Sequence, residues 1–139
     1  MGLTVLSVAY SVAAVGPDAA GGAEQVLSQL DAALVEAGHQ SVVVANEGSE
    51  VRGVLVPTKR PRGRLDESSE CRAQEETRKA VRRALDRWPV DVVHMHGLDF
   101  LRCLPPQGVP VLVTLHLPPD WYPSETFDVT RPDTYLHCV

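Results

Sequence analysis

The chain has 139 residues, 44% of them hydrophobic, which suffices for one buried core and is too short for two ordinary α/β domains. Its formal net charge of −5 provides no overall field to draw in nucleic acid or an anionic membrane. Cys71, Cys103 and Cys138 are odd in number, far apart and without a CxxC pair; this excludes a secreted disulfide scaffold and fits reduced thiols in a cytoplasmic protein.

Leu3 to Ala9 is a short apolar run ending in polar and Gly/Pro punctuation, the pattern of a strand buried on both faces. No basic segment precedes it and Gly16-Pro17-Asp18 breaks the apolar stretch, so it reads as a strand and not as a signal peptide. After the loop from Ser11 to Ala20, apolar residues recur at Ala23, Val26, Leu27, Leu30, Leu34 and Ala37, a helical spacing that Gly38 terminates. Ser41 to Ala45 and Val51 to Val56 are two further strands, the second closed by Pro57. Strand, helix, strand at this spacing signals a parallel βαβ unit.

From Thr58 to about Ser69 the chain turns polar, and a surface loop is expected there. Helical periodicity returns through Ala73, Thr77, Ala80, Val81, Ala84, Leu85 and Trp88, until Pro89 stops it. Val90 to Met95 and Val109 to Leu115 are two more buried strands, with a short helix expected over Leu98 to Leu104. After a Pro-rich, aromatic loop from Leu117 to Pro132, Thr134 to Val139 reads as a strand that the chain end cuts off. No run is long enough to span a bilayer. The layout predicts an α/β domain with a doubly wound parallel sheet, incomplete at Val139.

In open parallel sheets ligands collect beyond the carboxyl ends of the strands, so the residues after Ala9, Met95 and Leu115 come first. Gly21 and Gly22 open the first helix, where bare backbone N–H groups and the positive dipole end favour an anion. Their spacing is not G-x-G-x-x-G and the loop before them is long, which disfavours a dinucleotide site; the same glycines also fit a plain loop-to-helix entry. His94 and His96 fall on one face of a strand end that Gly97 turns out of the sheet. An H-x-H pair can hold a metal, but a site needs a third and usually a fourth ligand, and structural or substrate-contacting histidines are the simpler expectation. His116 leaves the next strand tip into the Pro-rich loop, either exposed to whatever binds the cleft or as a core histidine. The Lys59 to Arg64 cluster lacks interleaved aromatics and neighbours Asp66, Glu67 and Glu70, so it reads as a solvated loop. Arg78, Lys79, Arg82, Arg83 and Arg87 make the second long helix basic; its outward face reads as solvated, and peripheral contact with anionic lipid is the lesser expectation for it.

Gly21-Gly22-Ala23-Glu24-Gln25-Val26, Leu34 to Ala45, Asp91 to Gly97 and Val111 to His116 occur in an order and at spacings that resemble the N-terminal, acceptor-side domain of retaining GT-B glycosyltransferases of family four (glycosyl transferases group 1-like). The resemblance covers nearly the whole chain. It implies sugar transfer from a nucleotide-sugar donor to an acceptor with retention, usually without a bound catalytic metal, and calls for no cofactor. By the same resemblance Gly21 and Gly22 approach the donor diphosphate, His116 sits beside the transferring sugar as the catalytic residue, and His96 lines the acceptor side. Leu117-Pro118-Pro119 follows His116 where many relatives carry a small or acidic residue, which puts the neighbours' roles in question. The family's donor-binding C-terminal domain has no counterpart in residues 1–139, so the chain alone is expected to be inactive, its half-site completed by that domain or by a partner chain. Two other readings stand beside this one: a free-standing binding or assembly module that pairs with itself through an exposed sheet edge, and a small metallohydrolase built on His94, His96 and His116.

Overall fold

A computed structural model describes residues 2–139. Its six strands are β1 (Thr4–Val8), β2 (Gln40–Asn46), β3 (Val54–Thr58), β4 (Val92–Met95), β5 (Val111–Leu115) and β6 (Thr134–Cys138). They form one parallel sheet in the order β3-β2-β1-β4-β5-β6. Three helices accompany them: α1 (Gly22–Glu36), α2 (Glu67–Arg87) and the single turn α3 (Phe100–Cys103). Two short 3₁₀ turns, at Pro119–Trp121 and Ser124–Asp128, structure the Pro-rich loop before β6. This is the doubly wound arrangement expected from the alternation of apolar runs and helical spacing, with the strand order of a Rossmann-like sheet.

Side chains alternate across the strands, and the two faces of the sheet receive very different material. Leu6 and Val8 of β1, Val42 and Val44 of β2, Val93 and Met95 of β4, and Val111, Val113 and Leu115 of β5 pack with Ala80, Val81 and Ala84 of α2 and Phe100 and Cys103 of α3. On the opposite face Val43 and Ala45 cluster with Leu27 of α1, Val15 of the preceding loop and Ala9, with the partly buried Val51 and Leu55 against them. Ser7, His94 and Thr114 share that second face.

Helix α1 differs from its sequence pattern. Of the apolar stripe only Leu27 is buried, while Val26 is 45% exposed. The face turned inward is Glu24, Leu27 and Asp31, at helical spacing. Asp31 explains the rotation: one carboxylate oxygen accepts from the Ser41 hydroxyl at 2.7 Å and the Gly53 N–H at 3.1 Å, the other from the Arg52 N–H at 2.6 Å. The same clamp holds 52–53 in a turn, so β3 starts at Val54 instead of Val51. A Cβ at Gly53 would collide with the Ser41 carbonyl oxygen, so only glycine fits there. At its other end β3 runs through Pro57 to Thr58, which an edge strand tolerates.

At the end of α1, Gly38 adopts φ +85°. Its N–H donates to Val35 O and that of His39 to Leu34 O, closing the helix with the paired bonds of a Schellman motif. Helix α2 begins six residues before its first apolar position because Asp66 and Ser69 form a reciprocal capping box: the Asp66 carboxylate accepts from the Ser69 N–H and the Ser69 hydroxyl accepts from the Asp66 N–H. The polar segment expected to remain a loop as far as Ser69 is therefore helical from Glu67. Strands β4 and β5 each open two residues later than their apolar runs, and β6 ends at Cys138.

Candidate functional site

From β1 the chain winds outward through β2 to β3, and from β4 outward in the other direction to β6. The neighbours β1 and β4 are thus the switch point, where connections leave in opposite senses and open a crevice at the strands' carboxyl ends. The backbones leaving these strands touch: a Cβ on Gly97 would lie 2.9 Å from Tyr10 Cα and 2.6 Å from an Asp99 carboxylate oxygen, so Gly97 is required for the approach. Asp99 accepts a short hydrogen bond from the Ser11 hydroxyl, and burial raises its pKa despite that bond. Asn46, fully buried at the end of β2, donates to Ser11 O at 2.8 Å and to Thr58 Oγ1 at 3.0 Å, which pins the loop leading toward α1.

A cleft of about 180 Å³ opens at this switch point, lined by Gly21, Gly22 and Glu24 at the start of α1, by Tyr10 and His96, and by Leu117 and Tyr122. Three of the four site residues expected from the sequence therefore line one cavity. The fourth, His116, is bonded to it: its Nε2 lies 3.0 Å from His96 Nδ1. Tyr122 holds His116 in place, because its hydroxyl oxygen accepts the N–H groups of His116 at 3.0 Å and Leu117 at 3.3 Å. The rings of His94 and His96 lie tilted at 41° with centroids 3.9 Å apart, and His94 Nε2 is 2.7 Å from the Thr114 hydroxyl.

The two glycines play different parts. Gly21 is the N-cap of α1, and a Cβ there would run into the Glu24 carboxylate, which folds back over the helix start. The bare Cα leaves room for that carboxylate over the helix start. A Cβ on Gly22 would meet nothing within 4 Å, so Gly22 is the glycine whose surface stays open. Glu24 is itself only 9% exposed; its charge adds to the burial that raises the Tyr10 pKa and partly offsets the burial that lowers that of His116. A ligand phosphate approaching this helix end meets a carboxylate already there.

His94, His96 and His116 are held neutral near pH 7. Burial, with smaller contributions from His116 and His137, lowers His94 to about 4; burial, with His94 and His116, lowers His96 to about 2. His116 is lowered by burial and by His137, against the opposing pull of Glu24. In the neutral pair one ring donates and the other accepts. His96 Nε2, buried and without a partner among the described residues, is then a bare acceptor or an unspent donor according to the tautomer. A buried polar atom left open at a cleft wall is where a ligand hydroxyl is satisfied.

Metal chemistry has no ligand set here. His96 Nδ1 and His94 Nε2 are engaged with His116 and Thr114, and among the described residues no three His, Cys, Asp or Glu side chains are grouped to hold an ion. The three-histidine ligand set that the metallohydrolase reading needs is not assembled among the described residues. Nor is any helix among the described residues long and apolar enough to cross a membrane.

Glu24, Tyr122 and the Ser11–Asp99 pair are the site residues that sequence reasoning did not single out. Only Glu24 carries a local signal, being acidic and three residues after the N-cap.

An open parallel sheet with a glycine-opened helix and paired histidines at its switch point defines a cleft-binding α/β domain. Residues 20–134 match the model of Glycosyltransferase Family 4, a span holding both glycines, His96 and His116, and the chain belongs to that family. No curated protein matches the chain.

Proposed function

We propose that this domain is the acceptor-side half of a GT-B active site that transfers a sugar from a nucleotide-sugar to an acceptor hydroxyl with retention. The observation that carries it is the convergence of Gly21, Gly22 and His96 on one cleft, with His116 hydrogen-bonded to His96. Gly22 and the start of α1 face the donor diphosphate, where fixed N–H dipoles strengthen as charge develops on the leaving phosphate. His116 sits beside the transferring sugar and His96 offers Nε2 to the acceptor hydroxyl. Neutral histidines suit this work, since a protonated pair would neither accept from a hydroxyl nor stay bonded to each other. Glu24 must swing off Gly21 for a diphosphate to settle there, so donor binding and the Glu24 carboxylate compete.

A cleft enzyme works by bringing two half-sites together. The described residues form one wall, and the donor-holding wall comes from a C-terminal domain or a partner chain. The β6 edge, with Tyr135 61% exposed, is where a second copy of the chain would pair.

The test is an assay of the purified 139-residue chain with UDP-glucose and GDP-mannose. Expected are no sugar transfer and only weak, millimolar-range binding; submicromolar affinity or turnover by this chain alone contradicts a half-site.

A further inference from the structure

A larger cavity lies elsewhere. It measures about 450 Å³ and runs between the loop that leaves β3 and the first half of α2. Five cationic side chains line it, Lys59, Arg60 and Arg62 from the loop and Arg72 and Lys79 from the helix. In a chain of net charge −5 this is a local inversion of sign.

The lining carboxylates are already committed. Glu75 is bridged to Arg78, and Glu76 lies 3.7 Å from Lys79. Lys59, Arg60, Arg62 and Arg72 have no carboxylate within ion-pairing distance among the described residues; Arg72 donates at 2.7 Å to the Ser68 hydroxyl. The base of the loop is fixed: Thr58 is buried against Asn46, the Glu47 N–H donates to Thr58 O at 2.7 Å, and Pro61 is half-buried in the cavity wall. A solvated loop has no need of such a root. Like charges crowded in one concavity repel, and an anion relieves that cost; guanidinium forks match the oxygens of a phosphate.

We propose that this cleft binds a phosphate group carried by a ligand. The loop leaves the carboxyl end of β3, on the same sheet rim as His96 at the end of β4. Three strand spacings separate those ends, roughly 15 Å. A molecule long enough to bridge them could hold its phosphate in the basic cleft with another group at the histidines. The phosphate site itself stands without any role for His116. Its source is either a free phosphate ester or the headgroup of a lipid.

The experiment titrates the isotopically labelled chain with inorganic phosphate and with glucose 6-phosphate at constant ionic strength, following backbone amides, and in parallel sediments it with vesicles of phosphatidylglycerol or of phosphatidylcholine. Saturable shifts confined to residues 59–62 and 69–79 support a free phosphate ester. Co-sedimentation with phosphatidylglycerol alone, without such shifts, supports a lipid headgroup. In either case R60E/R62E/R72E weakens binding at least about tenfold, while R82E/R83E on the outward face of α2 leaves it within about twofold. All these residues are exposed, so folding of each variant is checked by its amide spectrum. Binding to neither probe, or equal loss in both variants, overturns the proposal.

Discussion

The two faces of the sheet are built for different purposes. On the α2 and α3 face fifteen buried residues form a continuous apolar core, with Phe100, Leu6 and Met95 shielded from solvent. On the α1 face the apolar cluster has five buried members, and buried polar groups crowd around it: Ser7, Glu24, Asp31, Ser41 and Thr114, with His96 at the rim. Apolar packing supplies stability on the first face. On the second, hydrogen bonds set position, and open polar atoms such as His96 Nε2 are left for a ligand.

Truncation on the two faces should therefore differ in size and kind. Phe100→Ala, on the apolar face, is expected to cost about 3–5 kcal/mol, a large share of a domain's total stability, read from urea unfolding. Asp31→Ala, on the polar face, leaves the Ser41 hydroxyl and the 52–53 amides without their acceptor and should cost about 2–3 kcal/mol. Equal losses from Leu27→Ala and Phe100→Ala would break the comparison, because Leu27 belongs to the thin core.

Acid should act through the polar face. His94 and His96 are held neutral in the folded state, whereas in the unfolded chain they take up protons near pH 6.5. Their contribution is thus complete above that pH and is lost progressively as pH falls from about 6.5, toward about 4 for His94 and about 2 for His96. Replacing His94 by Gln should flatten this part of the stability profile, checked by unfolding at a series of pH values. Within the cleft, Glu24→Gln removes the charge that raises His116, so His116 should titrate at lower pH in the variant, visible in its imidazole resonances. The smallest effect on stability is expected at Gly22: alanine fits its helical position without contact and should change unfolding by no more than about 1 kcal/mol, in the stabilising direction. Its effect should fall on diphosphate binding instead.

Much of this division was legible in the residues. Apolar runs located β1, β2, β4 and β5; β1 and β2 are buried on both faces and leave no alternation to interpret. The expectation that ligand residues follow strand tips brought Gly21, Gly22, His96 and His116 to one rim. What escaped depends on contacts made across the sheet. Asp31, one acid in an amphipathic helix, gives no hint that it rotates α1 and delays β3, and Tyr122 lies in a loop with no periodicity at all. The early start of α2 was written in Asp66 and Ser69, but a capping signal without apolar neighbours is easily passed over as loop. The basic segment was legible as charge alone; only the fold turns it into a cavity wall.

The switch-point cleft is proposed as a donor-facing half-site. The most direct measurement is a titration of the labelled chain with UDP and with GDP, following the amides of 21–24 and the ring nitrogens of His96 and His116. Saturable shifts are expected at Gly22 and its neighbours and at both histidines, with the Gly22 shifts reduced in Gly22→Ala and enlarged in Glu24→Gln as the competing carboxylate is neutralised. Shifts confined to other parts of the chain, or no shift at the start of α1 in either variant or the parent chain, would contradict it.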